Sequence, residues 1–190
     1  MKKIGYEITF YTDWHCGSGL AAGADVDALV IKDKDGLPFV PGKTIKGLLR
    51  EAAEYLSFDD ELITQVFGKS NDKETETGVM SSLFFSNAIL REGERAGILA
   101  DQLVSYLYRS ISSTAIDDNG IAKEHSLRRV QVTVPCILQG EILIMADEMN
   151  DKEVEKLFEK AFAYVKRIGV GRNRGLGRCT IRKIEEGGSK

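Results

Sequence analysis

The stretch A24-D-V-D-A-L-V-I-K-D-K-D-G-L-P-F-V-P-G-K-T-I-K-G-L-L-R50 passes from loop to strand to turn to helix within one short run. Leu29 to Lys32 and Leu37 to Val40 flank Asp33-Lys34-Asp35-Gly36, and an Asp-Gly pair between two apolar runs predicts a small hairpin. After Pro41-Gly42, residues Ile45, Leu48, Leu49, Ala52, Ala53 and Leu56 recur at helical spacing, so Lys43 to Leu56 is predicted to be an amphipathic helix. Upstream, Ile4 to Tyr11 alternates apolar and polar residues and reads as a first strand, followed by a loop containing Gly17, Gly19 and Gly23.

Downstream, a second helix is predicted at Glu61 to Phe67, a polar loop at Lys69 to Thr77 and a core strand at Ser82 to Leu90. The segment from about 91 to 131 mixes a helical or strand piece at Leu103 to Tyr108 with polar, turn-forming residues, and reads as an insertion. Val132 to Met145 is predicted to be an apolar hairpin broken at Gln139-Gly140. Asp151 to Ile168 is a helix with Val154, Leu157, Phe158, Ala161, Phe162 and Val165 on one face, and Thr180 to Ile184 is the closing strand. Strand, helix, strand, strand, helix, strand is the split order of an α+β, ferredoxin-like domain, here a βαββαβ core with an inserted hairpin and a glycine-rich C-terminal loop. Residues 1–186 are expected to form this one domain, and 187–190 a loose tail.

At 190 residues and 43% hydrophobic content, the chain is long enough for one full core. Its net charge of -3 argues against indiscriminate coating of nucleic acid, which requires many phosphate-neutralising cations. The charge is nevertheless segregated. Lys166 to Lys183 carries Lys166, Arg167, Arg172, Arg174, Arg178, Arg182 and Lys183 with no acid, while Asp59 to Glu76 and Asp147 to Glu159 are acid-rich. That leaves room for an anion-binding face, and equally for a solvated basic surface. Cys16, Cys136 and Cys179 lack CxxC spacing, so neither a disulfide framework nor a zinc site follows. No signal-like or membrane-spanning apolar run is present, and a cytoplasmic location is expected.

Gly42-Lys43-Thr44 at a helix start invites a phosphate-loop reading, but that motif needs a glycine where Leu37 stands; Gly36 is one place too far. What survives is a helix N-terminus with Lys43, Lys46 and Arg50 on its nearby turns, suited to a backbone phosphate or simply solvated. Gly169-Val170-Gly171-Arg172-Asn173-Arg174-Gly175-Leu176-Gly177-Arg178 runs from helix to strand, the reverse of a dinucleotide fingerprint. A C-cap accounts for Gly169; the repeated glycines with interleaved arginines fit close approach to a polyanion. Asp25 and Asp27 are turn formers or hard-oxygen ligands for Mg²⁺. His15 is a general base, an RNA contact or a structural residue beside Trp14. Asp117-Asp118-Asn119-Gly120 followed by Lys123, Arg128 and Arg129 is a protruding hairpin, ordinary or wedged against a nucleic-acid strand.

Four segments together give the chain a family resemblance. They are His15-Cys16-Gly17-Ser18-Gly19; Val26 to Asp33 leading to Pro38-Phe39-Val40-Pro41-Gly42-Lys43-Thr44-Ile45-Lys46-Gly47-Leu48-Leu49-Arg50; Ile116-Asp117 through Arg128; and the terminal glycine loop. On these the chain resembles the RAMP (repeat-associated mysterious protein) superfamily of CRISPR-associated proteins, especially the repeating backbone subunit of type III effector complexes. The resemblance implies an RRM-like core with a thumb, head-to-tail assembly of copies along a CRISPR guide RNA beside other type III effector subunits, and pairing of that guide with target RNA. It also implies cleavage of target RNA using Mg²⁺ or another divalent cation, with Asp27 at the position of the family's catalytic and metal-binding acid. Asp25 adds a second acid where small residues are more usual, so the reactive carboxylate is Asp27 or Asp25. Lys43, Thr44, Lys46 and Arg50 would hold the guide backbone, while Lys123 and Arg128 on the thumb and Arg172, Arg174 and Arg178 in the glycine loop (Gly169, Gly171, Gly175, Gly177) would contact RNA. Two alternatives are a non-catalytic guide-binding scaffold and a metal-independent guide-processing ribonuclease using His15. A generic RRM fits less well, since no strand carries the aromatic signature that base stacking requires.

Overall fold

The computed structural model describes residues 2–20, 26–69, 78–145 and 150–184. Asp25, most of the loop expected at Lys69 to Thr77, and the expected tail at 187–190 lie outside the described residues. Within them, no helix is long and apolar enough to cross a membrane.

Strand β1 (Lys2–Phe10) buries Ile4, Tyr6, Ile8 and Phe10, every second residue, as strand geometry requires of a half-buried strand. It lies between β7 (Ile137–Ile144) and the edge strand β8 (Cys179–Lys183) in a six-stranded sheet. The short β2 (Phe39–Val40), β3 (Leu83–Phe85) and β4 (Ala88–Leu90) form one side, β7 pairs β1 from Lys2↔Ile144 to Thr9↔Ile137, and β8 takes β1's other edge. All these pairs are antiparallel. Helices α1 (Gly42–Tyr55) and α4 (Asp151–Tyr164) pack together over the buried face, where Phe158 meets Phe67 and Phe85, and Phe162 meets Tyr6. The smaller α2 (Asp60–Phe67) is capped by Asp59, whose carboxylate accepts from the Glu61 and Leu62 amides. The opposite sheet face is polar: Arg91 and Gln139 both donate to Glu7, and Lys3 pairs with Glu141.

Helix α3 (Glu92–Ala100) and a 3₁₀ turn at Val104–Leu107 lead into a second, two-stranded sheet of β5 (Tyr108–Ser113) and β6 (Arg128–Thr133). This is the inserted hairpin. At its far end Asp117 accepts from the Asn119 and Ile121 amides, the turn expected of Asp-Asp-Asn-Gly.

Four elements differ from the sequence reading. No hairpin breaks at Gln139-Gly140: β7 runs straight through, and Gly140 is small because a Cβ there would overlap the phenol of the fully buried Tyr6. The strand read as Ser82 to Leu90 is two strands, kinked at Ser86-Asn87, where Ser86 exchanges hydrogen bonds with Glu141 and Asn87 turns toward α1. Helix α4 stops at Tyr164, because the following backbone pairs with the approach to β8 through Arg167↔Arg178 and the Cys179 amide on the Lys166 carbonyl. Helix α3 has no apolar face to mark it in the sequence, since it buries no residue; Arg95 instead clamps it to Asp33 and Asp35 of the Asp-Gly turn at 2.7 and 3.0 Å.

That turn is doubly secured, since Asp33 also accepts from the Asp35 and Leu37 amides. Burial pushes the Asp33 carboxyl up, but Arg95 and the two amides outweigh it and hold its pKa below the ordinary 3.8. A folded-state pKa below the unfolded one stabilises above the unfolded value, so the contribution is full at neutral pH and lost as pH falls below 3.8. Asp33→Ala is expected to cost about 1–3 kcal/mol at pH 7 and progressively less on acidification below pH 4, read from urea unfolding. Burial also pushes the thiols of Cys16, Cys136 and Cys179 up to about 12, so native protein should react slowly with iodoacetamide at pH 8 and unfolded protein rapidly.

Candidate nucleic-acid interface

The segment leaving β1 is extended and carries backbone partners on both sides. Toward the glycine-rich loop, Tyr11 N donates to the Arg178 carbonyl, Gly177 N to the Asp13 carbonyl at 2.7 Å, and Val170 N to the His15 carbonyl at 2.8 Å. Toward the inserted hairpin, Trp14 and Thr133 exchange both backbone bonds, at 3.0 and 2.8 Å. Trp14 is fully buried, stacks on Phe10 at 4.5 Å and donates its indole N–H to the Val134 carbonyl. One strand-like segment therefore joins the two features that sequence singled out as basic: the glycine loop and the hairpin.

Three of the loop glycines serve that junction. A Cβ at Gly169 would overlap the His15 carbonyl, one at Gly177 the Ile168 carbonyl, and one at Gly171 would press on Leu176. All three have positive φ, as does Gly175, yet only Gly175 opens onto empty space. Arg172 and Arg174 sit on an exposed 3₁₀ turn between Gly171 and Gly175, and the Arg172 carbonyl accepts from Arg167. Arg178 is exposed beside it.

His15 lies inside the junction, only 3% exposed. Its Nδ1 sits 2.6 Å from the Gln131 carbonyl, which can only accept, so Nδ1 carries the proton and the ring is a strut to β6. Its geometry favours the structural role over direct contact with RNA.

Asp27 is exposed and held by β6 from two directions. Its amide donates to the Arg129 carbonyl at 2.8 Å and its Oδ2 accepts from the Arg129 amide at 2.6 Å. The next residue continues the pairing, as the Gln131 amide donates to the Ala28 carbonyl. Along β6, Arg129 thus holds Asp27 and Gln131 holds His15, two residues or about 7 Å further on. Among the described residues no group of three or more His, Cys, Asp or Glu side chains converges, and the hydrogen bond they make to the Asp27 carboxylate falls on Oδ2.

The basic residues of α1 divide. Lys43 is exposed, Thr44 half-buried, and Lys46 half-buried, its pKa lowered by burial and by Arg50. Arg50 is engaged, donating to Glu54 at 2.7 Å and to the Gly68 carbonyl at 3.0 Å. The first amide of α1 is occupied as well: Gly42 N donates to Asn87 Oδ1 at 2.9 Å, and a Cβ at Gly42 would overlap the Phe85 carbonyl. Gly42 is thus a packing glycine against the kink between β3 and β4. No hydrogen bond or ion pair among the described residues joins Asp27 to Lys43, Lys46 or Arg50.

Lys123 and Arg128 are exposed on the hairpin. Sequence reasoning missed Asp13 and Arg109, whose carboxylate and guanidinium pair where the hairpin joins the body. The available signals were an acid directly before Trp14-His15 and a single cation in Tyr-Arg-Ser-Ile-Ser-Ser.

The comparisons agree with one another over almost the whole chain. The model of the RAMP superfamily matches residues 7–180. The CRISPR system Cms endoribonuclease Csm3 of Streptococcus thermophilus is 26% identical over 203 residues, covering 96% of this chain and 88% of that protein. Two solved structures share the fold: a chain of the type III-B Cmr-beta complex bound to cognate target RNA, with TM-score 0.72 and 10% identity over 96% of this chain and 97% of that one, and a chain of its apo state, with TM-score 0.71 and 12% identity over 97% and 98%.

The close backbone approaches rank the loop glycines. Gly177→Ala, with positive φ and an overlapping carbonyl, is expected to cost about 3 kcal/mol or more in urea unfolding. Gly175→Ala pays only for its conformation, about 1–2 kcal/mol. The reverse ranking would contradict the assignment of Gly177 to the internal junction.

Proposed function

The chain belongs to the RAMP superfamily, and from that premise we propose that it is a guide-RNA-binding backbone subunit of a type III CRISPR effector complex that cleaves target RNA with Asp27. The observation that carries this is Asp27 itself: an exposed carboxylate, latched through its own amide and Oδ2 to Arg129 toward the outer end of the β5–β6 ladder of the thumb hairpin, with its other oxygen free of the described residues. The similarity to a relative whose name is that of an endoribonuclease supports it. So does the mixed α+β architecture, an antiparallel sheet in which β1 lies between β7 and β8 with α1 and α4 on one face, an order compatible with a ferredoxin-like core.

The donor set fits a hard cation. Mg²⁺ is typically held by one or two carboxylates together with substrate phosphates and water, and Asp27 supplies one such carboxylate. Bound there, the ion would stabilise charge on a phosphodiester. The chain's residues do the rest. Arg129 orients the Asp27 carboxylate, Arg172, Arg174 and Arg178 offer phosphate contacts on the glycine loop, and Lys123 and Arg128 offer them along the thumb. Lys43, Thr44 and Lys46 face the guide from α1; a phosphate beside Lys46 offsets the burial and the Arg50 charge that disfavour its ammonium. Copies of the chain assemble head to tail along the guide, next to other effector subunits.

A scaffold without chemistry is the second reading, favoured by the structural use of Asp27 Oδ2 as a latch. Substitution separates the two. Asn at position 27 keeps an acceptor for the Arg129 amide and removes the charge. In assembled complex with matched target RNA and Mg²⁺, wild type should give a regular ladder of fragments, and Asp27→Asn should lower the rate by at least about 100-fold while guide retention and melting temperature hold. Asp27→Ala should lose cleavage and about 1 kcal/mol of stability together. Unchanged cleavage in Asp27→Asn would overturn the catalytic assignment. Full guide retention with no Mg²⁺-dependent ladder in wild type would establish the scaffold, and cleavage persisting in EDTA would point to metal-independent processing.

A further inference from the structure

Where the glycine loop, the segment leaving β1 and the root of the thumb meet, the surface folds into an open cleft of about 430 Å³ lined by Tyr11, Thr12, Asp13, Arg109, Pro135 and Arg174, among others. That volume lies in the range of sites that enclose a small ligand or one unit of a larger one. Its charges are unevenly buried. Asp13 is 5% exposed, and its Oδ2 receives Arg109 Nε at 2.6 Å and Nη2 as well, while its Oδ1 is buried without a partner among the described residues. The Arg109 side chain remains 64% exposed. A guanidinium has five N–H donors, and Asp13 engages one edge of the fork, so the remaining donors are available to the cleft.

We infer that this cleft is a phosphodiester-binding site for an RNA strand, with Arg109 as a binding residue and Asp13 as the residue that positions it. The inference rests on the RNA-binding reading above and adds to it a site and two residues. Charge selects the ligand: Asp13, Arg109 and Arg174 are the ionic residues of the lining, and two guanidiniums against one carboxylate leave a single positive charge. One phosphodiester closes that balance. Guanidinium forks recognise phosphate oxygens in paired, charge-assisted hydrogen bonds. The Tyr11 ring, half-exposed and fixed by its hydroxyl's 3.0 Å hydrogen bond with Thr180, offers a face on which the adjoining base can stack. Gly175, with open space where a Cβ would stand, lets the strand approach the loop backbone.

The test is fluorescence anisotropy of the full chain with labelled single-stranded RNA, and with the same RNA annealed to its complement, across a salt series. Arg109→Ala should weaken binding about tenfold and reduce the salt slope by about 0.7 on single strands, the loss of one phosphate contact. Arg109→Lys, which keeps the charge but not the fork, should weaken affinity with the slope retained. Asp13→Asn separates positioning from bulk charge. Removing a negative charge should tighten RNA binding if only net charge matters, and weaken it if Asp13 aims Arg109; adding it to Arg109→Ala should then change nothing more. Loss on either RNA supports the site and identifies whether it takes a free or a paired strand. Because Arg109 is exposed, its variants keep the inference testable even if Asp13→Asn does not fold. Wild-type affinity and slope in both Arg109 variants would overturn the inference and leave the proposed function standing, whereas a wild-type chain that binds neither RNA would overturn both. Arg109→Ala that separates copies of the chain at unchanged RNA affinity would assign the cleft to protein contact and overturn it equally.

Discussion

The two-sided hydrogen bonding of the segment from Tyr11 to His15 is the constraint from which the remaining geometry follows. An extended segment has one row of backbone groups along each edge, and here both rows find partners, in the glycine loop on one side and at the end of β6 on the other. Satisfying both edges forces the two features into register. The thumb root cannot shift along β6 without breaking the Trp14–Thr133 pair, and the loop cannot rise without uncovering the carbonyls of Asp13 and His15. Trp14 stacked on Phe10 seals the junction with apolar contact, so its polar network is shielded from water.

That junction explains why glycine recurs in the terminal loop. Where two stretches of backbone run at hydrogen-bonding distance without the pleat of a regular sheet, a side chain has nowhere to go. Gly169 and Gly177 stand at such points, and their left-handed conformations turn the chain back toward β8. Gly42 likewise leaves no room for a Cβ against the Phe85 carbonyl at the start of α1, and Gly140, within the β7 ladder, leaves none against the Tyr6 ring. The glycines that looked like a surface for a polyanion are in large part the means by which the protein approaches itself. The arginines between them are left facing outward, and that division gives the loop its basic rim.

Electrostatics follow the same architecture. Acids around the thumb are used where they order something: Asp33 and Asp35 fasten α3, Asp13 holds Arg109, and Asp27 ties its own loop to β6. Cations are spent in this way only in part. Arg95 and Arg50 are tied into the fold, whereas Arg172, Arg174, Arg178, Lys43, Lys123 and Arg128 are exposed. A chain of net charge -3 thereby presents basic ground near the thumb and the glycine loop.

Sequence alone determined the first strand, both large helices, the Asp-Gly hairpin and the family, because each rests on local periodicity or on short motifs. Gly42-Lys43-Thr44, Asp27 and the Arg-rich loop were visible as candidates for the same reason. What sequence misjudged were features whose causes are distant: the kink at Ser86-Asn87 exists to receive α1, Gly140 to clear Tyr6, and α3 is held by a turn some 60 residues earlier. His15 was readable as a chemical group or as a structural residue beside Trp14, but not as a strut to β6, since its partner is 116 residues away. The pairing of Asp13 with Arg109 was likewise invisible, because strand pairing joins residues by register rather than by spacing. Local pattern chooses which elements form; only tertiary structure decides which charges are consumed in holding them together and which remain for a ligand.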